Sequence, residues 1–244
     1  MEMDSMDVTD PLVTRARAVW EGLASVPVSF GPAGSVNVVV SPNSGLCPAG
    51  WIGAVSIGGS AIVTAPDQRL AALLRDALRG VPAGAVGDAV CEHVPTNRVL
   101  GPAALAYLSA DGFRPAAPGP LVVRQLPGAD PRLRALEQAA GADDTAEAGL
   151  FEITSPAFVV HAGGEVIAAA GYRSWPGRTA HISVLTAPAS RRRGLARLTG
   201  SAAAAHALAA GLLPQWRARV PASRRVAAAL GFRELGEQLS AQLA

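Results

Sequence analysis

The chain has 244 residues, of which half are hydrophobic and 16% are charged, and its formal net charge is +2. This composition supports a folded core and excludes intrinsic disorder, while so small a net charge counts against a nucleic-acid binder. Two cysteines are too few for a disulfide framework or a zinc site, and no apolar run spans a bilayer, so we expect a cytoplasmic protein without metal or membrane partner.

The first half alternates between helical and strand-like patterns. Apolar residues recur at helical spacing from Pro11 to Val26, after Asp10 as a candidate N-cap. The runs SVNVVV and WIGAVSIGGSAIVTAP predict strands, the second run being a hairpin that turns at Gly58-Gly59. Two further helices are predicted over Asp67–Leu78 and Pro102–Leu108.

A stretch rich in proline and glycine, RPAAPGP at residues 114–120, follows the first half. Such a composition is typical of a linker. We therefore expect an N-terminal α/β lobe over residues 1–115 and a second domain over residues 120–244.

The second half gives the order β-α-α-β-β-β-α-β-α-β, which predicts one mixed sheet with helices on its faces. Its N-terminal part comprises a strand at Leu121–Leu126, helices at Pro131–Ala140 and Asp143–Leu150, and a hairpin AFVVHAGGEVIAAAGYRSW. Its C-terminal part comprises a strand at Thr179–Pro188, a helix at Gly194–Ala210, the strand-like LLPQWRARV, a helix at Ala222–Leu230 and a last strand at Phe232–Gln238.

The stretch TAPASRRRGLARL joins the strand that ends at Pro188 to the helix that begins near Gly194. The first turn of a helix has backbone N–H groups without helical acceptors, and the helix dipole adds positive charge there. Gly194 allows an anion to approach the backbone, and Arg191, Arg192 and Arg193 add donors that match phosphate oxygens. The stretch therefore predicts a polyphosphate site, although a solvated arginine cluster is the competing interpretation.

Other phosphate-binding motifs do not fit this stretch. A Walker A loop needs a lysine, which the chain lacks, and the dinucleotide fingerprint needs three spaced glycines. The sequence RRRGLA at residues 191–196 instead resembles the Arg/Gln-x-x-Gly-x-Gly/Ala loop of the GNAT N-acetyltransferases, with Pro188 three residues before it. The segment PASRRVAAALGFRELG, Pro221 to Gly236, is similar to the last helix of that family and its Leu-Gly-Phe exit.

The resemblance covers Leu121 to Ala244 and implies a GNAT-like fold, an α/β fold with a mostly antiparallel sheet. It implies acetyl-CoA as co-substrate, no metal, and direct transfer of an acetyl group to a primary amine of a small molecule or amino compound. The residues implied to contact the cofactor are Val184, Leu185, Thr186, Arg191, Arg192, Arg193, Gly194, Leu195, Ala196 and Ser223. Val184 and Leu185 are also typical core residues, and Ser223 is also a typical helix cap.

The catalytic residues are less clearly indicated. His181 lies on the strand before the loop, where strict alternation turns it away from the positions Ala180 and Ile182 that hold bases in the family. Glu152 lies where the acceptor binds in relatives and is a second candidate for the base. Either residue could instead have a structural or solvated role.

Three further positions concern the acceptor and the leaving thiolate. Tyr172 and Trp175 are candidates to wall the acceptor pocket or to pack in the core. Ala227 stands where many family members carry the tyrosine that protonates the thiolate. The alternative function is therefore a non-catalytic acyl-CoA-binding or regulatory protein, and the sequence leaves the acceptor and the oligomeric state open.

The first half also echoes the second. SAIVTAP at residues 60–66 resembles HISVLTAP, and PAALAYLSADGF at residues 102–113 resembles PASRRVAAALGF, but Ala72 stands where Gly194 would be. The first half is thus either a degenerate lobe of the same family without a phosphate site or an unrelated α/β domain. In either case Tyr107 and Trp51 are candidates to face the acceptor.

Overall fold

The computed structural model describes residues 10–117 and 119–244. The chain forms two compact units, the first comprising residues up to Ala106 together with Glu234–Ala244, and the second comprising Tyr107–Arg233. Residues 1–9 and Pro118 of the predicted linker lie outside the described residues.

The elements in chain order are α1 (Pro11–Leu23), β1 (Val36–Val40), β2 (Ile52–Ile57), β3 (Ser60–Ala65), α2 (Gln68–Ala77), α3 (Val86–His93), β4 (Thr96–Tyr107), β5 (Arg124–Leu126), α4 (Pro131–Ala140), α5 (Ala142–Ala148), β6 (Ala157–Ala162), β7 (Glu165–Trp175), β8 (Thr179–Thr186), α6 (Leu195–Ala209), β9 (Leu213–Ala218), α7 (Pro221–Ala229) and β10 (Arg233–Leu243).

In the first unit the strands lie in the order β1-β3-β2-β10-β4. Gly58 and Gly59 both have positive φ, +58° and +79°, as a two-residue hairpin turn between β2 and β3 requires. The carboxylate of Asp10 accepts a hydrogen bond from the backbone N–H of Leu12 at 2.9 Å and so caps α1 as predicted. Apolar residues of α2 and α3, among them Leu74 and Val90, pack on these strands and form the core of this unit.

In the second unit the strands lie in the order β9-β8-β7-β6-β5. Neighbouring strands from β5 to β8 are antiparallel, and β8 and β9 are parallel. Asp130 caps α4 through a hydrogen bond to the backbone N–H of Arg132, and Gly211, with φ +69°, follows the end of α6. The mixed, mostly antiparallel sheet with flanking helices and the predicted order of elements are confirmed.

Two elements of the first unit differ from the prediction. The segment 102–108, predicted as a helix, belongs almost entirely to strand β4, and the helix α3 was not predicted. The alanines and leucines of this segment favour a helix locally, but β4 lies beside β10, which follows it by more than a hundred residues. The tertiary pairing overrides the local preference.

The last strand corrects the predicted extent of the second domain. β10 was placed in the range 120–244, but it pairs antiparallel with β2, so that Gly236 faces Ile57 and Ala241 faces Ile52. The first unit therefore includes the C-terminal residues Glu234–Ala244 as well as the N-terminal half.

The predicted repeat holds over one segment only. The hairpin β2–β3 followed by α2 corresponds to the hairpin β7–β8 followed by α6. However, the parallel neighbour of β3 is β1, which precedes the hairpin, whereas the parallel neighbour of β8 is β9, which follows the helix. The second echo is wrong, because residues 102–107 belong to β4 whereas Pro221–Ala229 form the helix α7.

The turn after α7 provides a test of packing. Gly231 has φ +92°, and a Cβ atom there would lie 1.9 Å from the carbonyl oxygen of Gly112, whereas Gly164 has φ +88° and nothing within 4 Å. The two glycines have nearly the same positive φ, so the difference between Gly231→Ala and Gly164→Ala reports mainly the clash. We expect Gly231→Ala to lower the free energy of unfolding in urea by about 2 kcal/mol more than the control. Equal losses would contradict this packing.

Candidate functional site

The parallel pairing of β8 and β9 is short. Among the described residues it covers three pairs, Thr179 with Leu213, Ala180 with Pro214 and His181 with Gln215. β8 remains paired with β7 as far as Thr186, which faces Ala168. β9 is therefore the strand that diverges, and a gap opens between β8 and β9 beyond His181.

A cavity of about 430 Å³ occupies this gap. It extends from α5 to the start of α6 and to α7. Its lining comprises Asp144, Glu147, Ala148, Ile182, Val184, Leu185, Thr186, Ser190, Arg191, Arg192, Gly194, Leu195, Ala196, Arg197, Trp216, Arg217, Val220, Ala222, Ser223 and Val226. Nine of the ten residues predicted to contact the cofactor are in this set, and Arg193 is the exception.

The start of α6 forms one end of the cavity. Gly194 is its N-cap, with φ +76°, and among the described residues no side chain caps this helix. The backbone N–H groups of the first turn are therefore available to a ligand. Nothing lies within 4 Å of where a Cβ of Gly194 would be, so the site of that atom is open space.

Two polar groups of the cavity indicate a ligand more directly. The hydroxyl oxygen of Thr186 is buried and has no hydrogen-bond partner among the described residues. The indole N–H of Trp216 donates to the hydroxyl of Ser223 at 2.9 Å. Ser223 therefore orients a cavity wall and keeps its own O–H available to donate.

The short helix α5 is connected to both sides of the gap by ion pairs. Asp144 pairs with Arg191 of the loop before α6, at 2.5 Å, and Glu147 pairs with Arg219, which follows β9. All four side chains are partly exposed, so each pair contributes little to stability. The two pairs connect α5 to both sides of the gap. An anion in the cavity would compete with Asp144 for Arg191.

The two faces of β8 carry different side chains. Leu185 packs with Leu133 and Leu136 of α4, and the hydroxyl of Ser183 donates to the carbonyl oxygen of Gly149. By alternation His181 lies on this same face, which we call the α4 face. Ile182 and Val184 lie on the opposite face, which we call the α6 face.

The candidate residues His181, Glu152 and Trp175 lie together on the α4 face. The imidazole of His181 stacks on the indole of Trp175, with centroids 4.6 Å apart and an interplanar angle of 13°. Arg173, which faces His181 across the β7–β8 pairing, donates to the carboxylate of Glu152 at 2.6 Å. These three candidates lie around one end of the gap, but they do not line the cavity itself.

Tyr172 is not brought to this cluster. It lies on the α6 face, buried, with its hydroxyl 3.0 Å from Nδ1 of His206 on α6. Burial raises the pKa of its phenol. Of the other acceptor candidates, Tyr107 is fully buried and accepts a hydrogen bond from Gln215, while Trp51 belongs to the first unit.

The electrostatic environment keeps His181 neutral. Burial lowers its pKa to about 4, with a further contribution from Arg217, against a smaller opposing effect of the hydrogen bond to Gln215. A neutral imidazole at physiological pH has one nitrogen with a free lone pair and can accept a proton.

Sequence reasoning missed several residues of the site. Asp144, Glu147, Trp216 and Arg217 line the cavity, and Gln215 contacts His181. The residues of α5 carry no motif, and those of β9 belong to a strand whose partner is known only from the fold. The alternation of LPQWRA could have assigned Gln215 and Arg217 to one face, but not to the face that carries His181.

Among residues 10–117 and 119–244, no three His, Cys, Asp or Glu side chains are grouped so that they could hold a metal ion. Within the same residues, no helix has both the length and the apolar character that crossing a membrane requires.

Comparison with known proteins finds one family model that matches part of the chain. The model described as GNAT acetyltransferase matches residues 150–238, within the C-terminal half in which the resemblance to this family was predicted. None of the curated proteins matches the chain.

Solved structures of GNAT proteins are also similar to this chain. One is a GNAT-family acetyltransferase from Novosphingobium aromaticivorans, with 26% identity over 61% of this chain and 67% of that one and a TM-score of 0.47. Another is a GCN5-related N-acetyltransferase from Kribbella flavida, with 17% identity, coverages of 66% and 64%, and a TM-score of 0.48. A third is a tandem GNAT protein from the clavulanic acid biosynthesis pathway, with 16% identity, coverages of 63% and 56%, and a TM-score of 0.43. The chain thus spans between 56% and 67% of the length of these three structures.

The lowered pKa of His181 predicts a dependence of stability on pH. Its pKa in the folded protein is about 4, below the value of about 6.5 in an unfolded chain, so between these pH values the unfolded chain binds more protons. The free energy of unfolding should therefore fall as the pH decreases from about 6.5 to about 4. Urea unfolding at pH 7.5 and 4.5 should show a larger loss for the wild type than for His181→Gln. A loss of the same size in both would contradict the lowered pKa of His181.

Proposed function

We propose that this chain, which matches the GNAT acetyltransferase model over residues 150–238, transfers an acetyl group from acetyl-CoA to a primary amine of a small molecule. The observation that carries the proposal is the gap between β8 and β9, because it places nearly all predicted cofactor residues around one cavity. The acceptor is proposed from the resemblance and from the cluster around His181.

The residues of the cavity fit a CoA thioester. The uncapped first turn of α6 and the open space at Gly194 suit a pyrophosphate, and the guanidinium groups of Arg191 and Arg192 add forked donors. The unpartnered hydroxyl of Thr186 and the apolar walls of Val184 and Trp216 suit a chain of amides and methylenes. These residues would hold the cofactor.

The chemistry divides between the cofactor and the chain. Acetyl-CoA supplies the activated acyl group as a thioester. The chain contributes by holding the reactants together and by excluding water from the narrow end of the gap, where Ile182 and Trp216 line the cavity. His181, or Glu152 beside Arg173, would accept the proton that the amine loses.

One observation favours the second candidate, a protein that binds acyl-CoA without catalysis. Ala227, which replaces the usual tyrosine, is buried on α7 and has no proton to donate. We nevertheless expect transfer, because water or the amine itself can protonate the departing sulfur.

Release of free thiol from acetyl-CoA distinguishes the two functions. Measured across a panel of amines, it should exceed the rate without amine for at least one of them. Release at the background rate with every amine would support the binding protein.

Gly194 provides the test of cofactor binding. A leucine at this position would place its side chain in the open space before α6, where the phosphate is expected. We expect Gly194→Leu to weaken acetyl-CoA binding more than about tenfold in calorimetric titration, since a bulky side chain blocks approach to the backbone N–H groups.

Gly164→Leu is the matched control, because Gly164 also has positive φ and open surroundings but lies in the β6–β7 turn. It should bind acetyl-CoA as the wild type does. A wild type that shows neither heat nor thermal stabilisation with acetyl-CoA would contradict the proposed cofactor.

A further inference from the structure

A chain of two hydrogen bonds leads from His181 to buried side chains. Nδ1 of His181 lies 2.8 Å from Oε1 of Gln215, and Nε2 of Gln215 donates to the hydroxyl oxygen of Tyr107 at 2.8 Å. Gln215 and Tyr107 are both fully buried. Two fully buried polar groups, the amide of Gln215 and the hydroxyl of Tyr107, thus lie behind one imidazole.

This arrangement determines which nitrogen of His181 carries the hydrogen. An amide oxygen only accepts hydrogen bonds, so Nδ1 must be the donor to Gln215. In a neutral imidazole Nε2 then has the free lone pair. In this orientation the NH₂ group of Gln215 donates to the hydroxyl oxygen of Tyr107, which stabilises the amide with Oε1 toward His181. If the amide were flipped, its NH₂ group would donate to Nδ1, and the hydrogen of the imidazole would be on Nε2 instead.

His181 occupies the end of the gap. The pair of His181 and Gln215 is the last pair of the β8–β9 ladder, and the next residues on the two strands, Ile182 and Trp216, line the cavity. Stacking on Trp175 restricts rotation of the imidazole. His181 is therefore adjacent to the point where β8 and β9 separate.

We propose that Gln215 and Tyr107 are positioning residues that hold His181 as the Nδ1–H tautomer, so that Nε2 accepts a proton from the acceptor amine. This inference rests on the proposed acyl transfer. In the step, an N–H bond of the amine breaks as an Nε2–H bond forms. Over the whole reaction one proton leaves the amine and one reaches the departing sulfur, so no further reactant is needed.

The charged groups around His181 set the pH dependence. Arg173 on β7 and Arg217 on β9 oppose a positive imidazole, and the hydrogen bond to Gln215 partly compensates, while Glu152 pairs with Arg173. The neutral, accepting form is therefore dominant above about pH 4. Gln215→Glu would place a negative charge at Nδ1 and raise the pKa of the imidazole.

The tautomer can be observed without any assay of activity. In wild-type protein labelled with ¹⁵N at histidine, long-range proton–nitrogen correlation should show the hydrogen of His181 on Nδ1. Tyr107→Phe removes the acceptor that orients the amide, so we expect a mixture of tautomers in that variant. A wild type with the hydrogen on Nε2 would overturn the inference.

Kinetics with acetyl-CoA and the best amine of the panel test whether the tautomer of His181 affects turnover. We expect His181→Gln to lower kcat about a hundredfold. Tyr107→Phe and Gln215→Leu should each lower kcat about tenfold, with KM for acetyl-CoA changed less than twofold. Gln215→Glu keeps an acceptor for Nδ1–H, so it should retain more activity than Gln215→Leu and shift the acidic limb of the pH profile upward.

Ser201→Ala is the control, because Ser201 accepts a hydrogen bond from the backbone N–H of Ala116 in the same unit, away from the cavity. Losses of kcat in Tyr107→Phe and Gln215→Leu no larger than in Ser201→Ala would overturn the inference. Turnover by a wild type that carries Nε2–H would overturn this inference alone, whereas Nδ1–H without turnover of any amine would overturn the proposed function and with it the proton transfer.

Discussion

The site depends on a parallel strand pairing that stops after three residue pairs. β8 stays hydrogen-bonded to β7 along its whole length, so the divergence of β9 beyond Gln215 opens one edge of β8 between residues 182 and 186. A continuous ladder would close this edge and leave no cavity in the sheet. The gap also gives the cavity access to both faces, because its lining includes α5 on one side and α6 and α7 on the other.

The two ends of the gap have different chemistry. At the wide end, the uncapped start of α6 and the arginines of the preceding loop favour anions. At the narrow end, burial and the neighbouring arginines keep His181 neutral. Asp144 and Glu147 connect α5 to Arg191 and Arg219, so the acidic helix balances part of the positive charge between these ends.

The local features of the site could be predicted from the sequence because they are encoded within a few residues. The loop 191–196 joins a strand to a helix, and its glycine and arginines act through the helix start that they adjoin. The same holds for the N-caps Asp10 and Asp130 and for the Gly58-Gly59 turn. Each of these depends on contacts between neighbours in the chain.

The predictions that failed concern features that depend on contacts between residues far apart in the sequence. Residues 102–107 are strand because β4 lies beside β10, and β10 belongs to the first unit because it pairs with β2. His181 was judged by the alternation of its own strand, which gives its face correctly but not its partners. Gln215 and Tyr107 lie 34 and 74 residues away from it, and only the fold brings them behind the imidazole.

Backbone hydrogen exchange with and without CoA tests the central claim most directly, since it reports on the open edge of β8 itself. The account predicts that CoA slows exchange of amides within Val184–Thr186 and in the first turn of α6, while the turn at Gly163-Gly164 exchanges at an unchanged rate. Protection confined to other segments, or no protection at saturating CoA, would contradict the account.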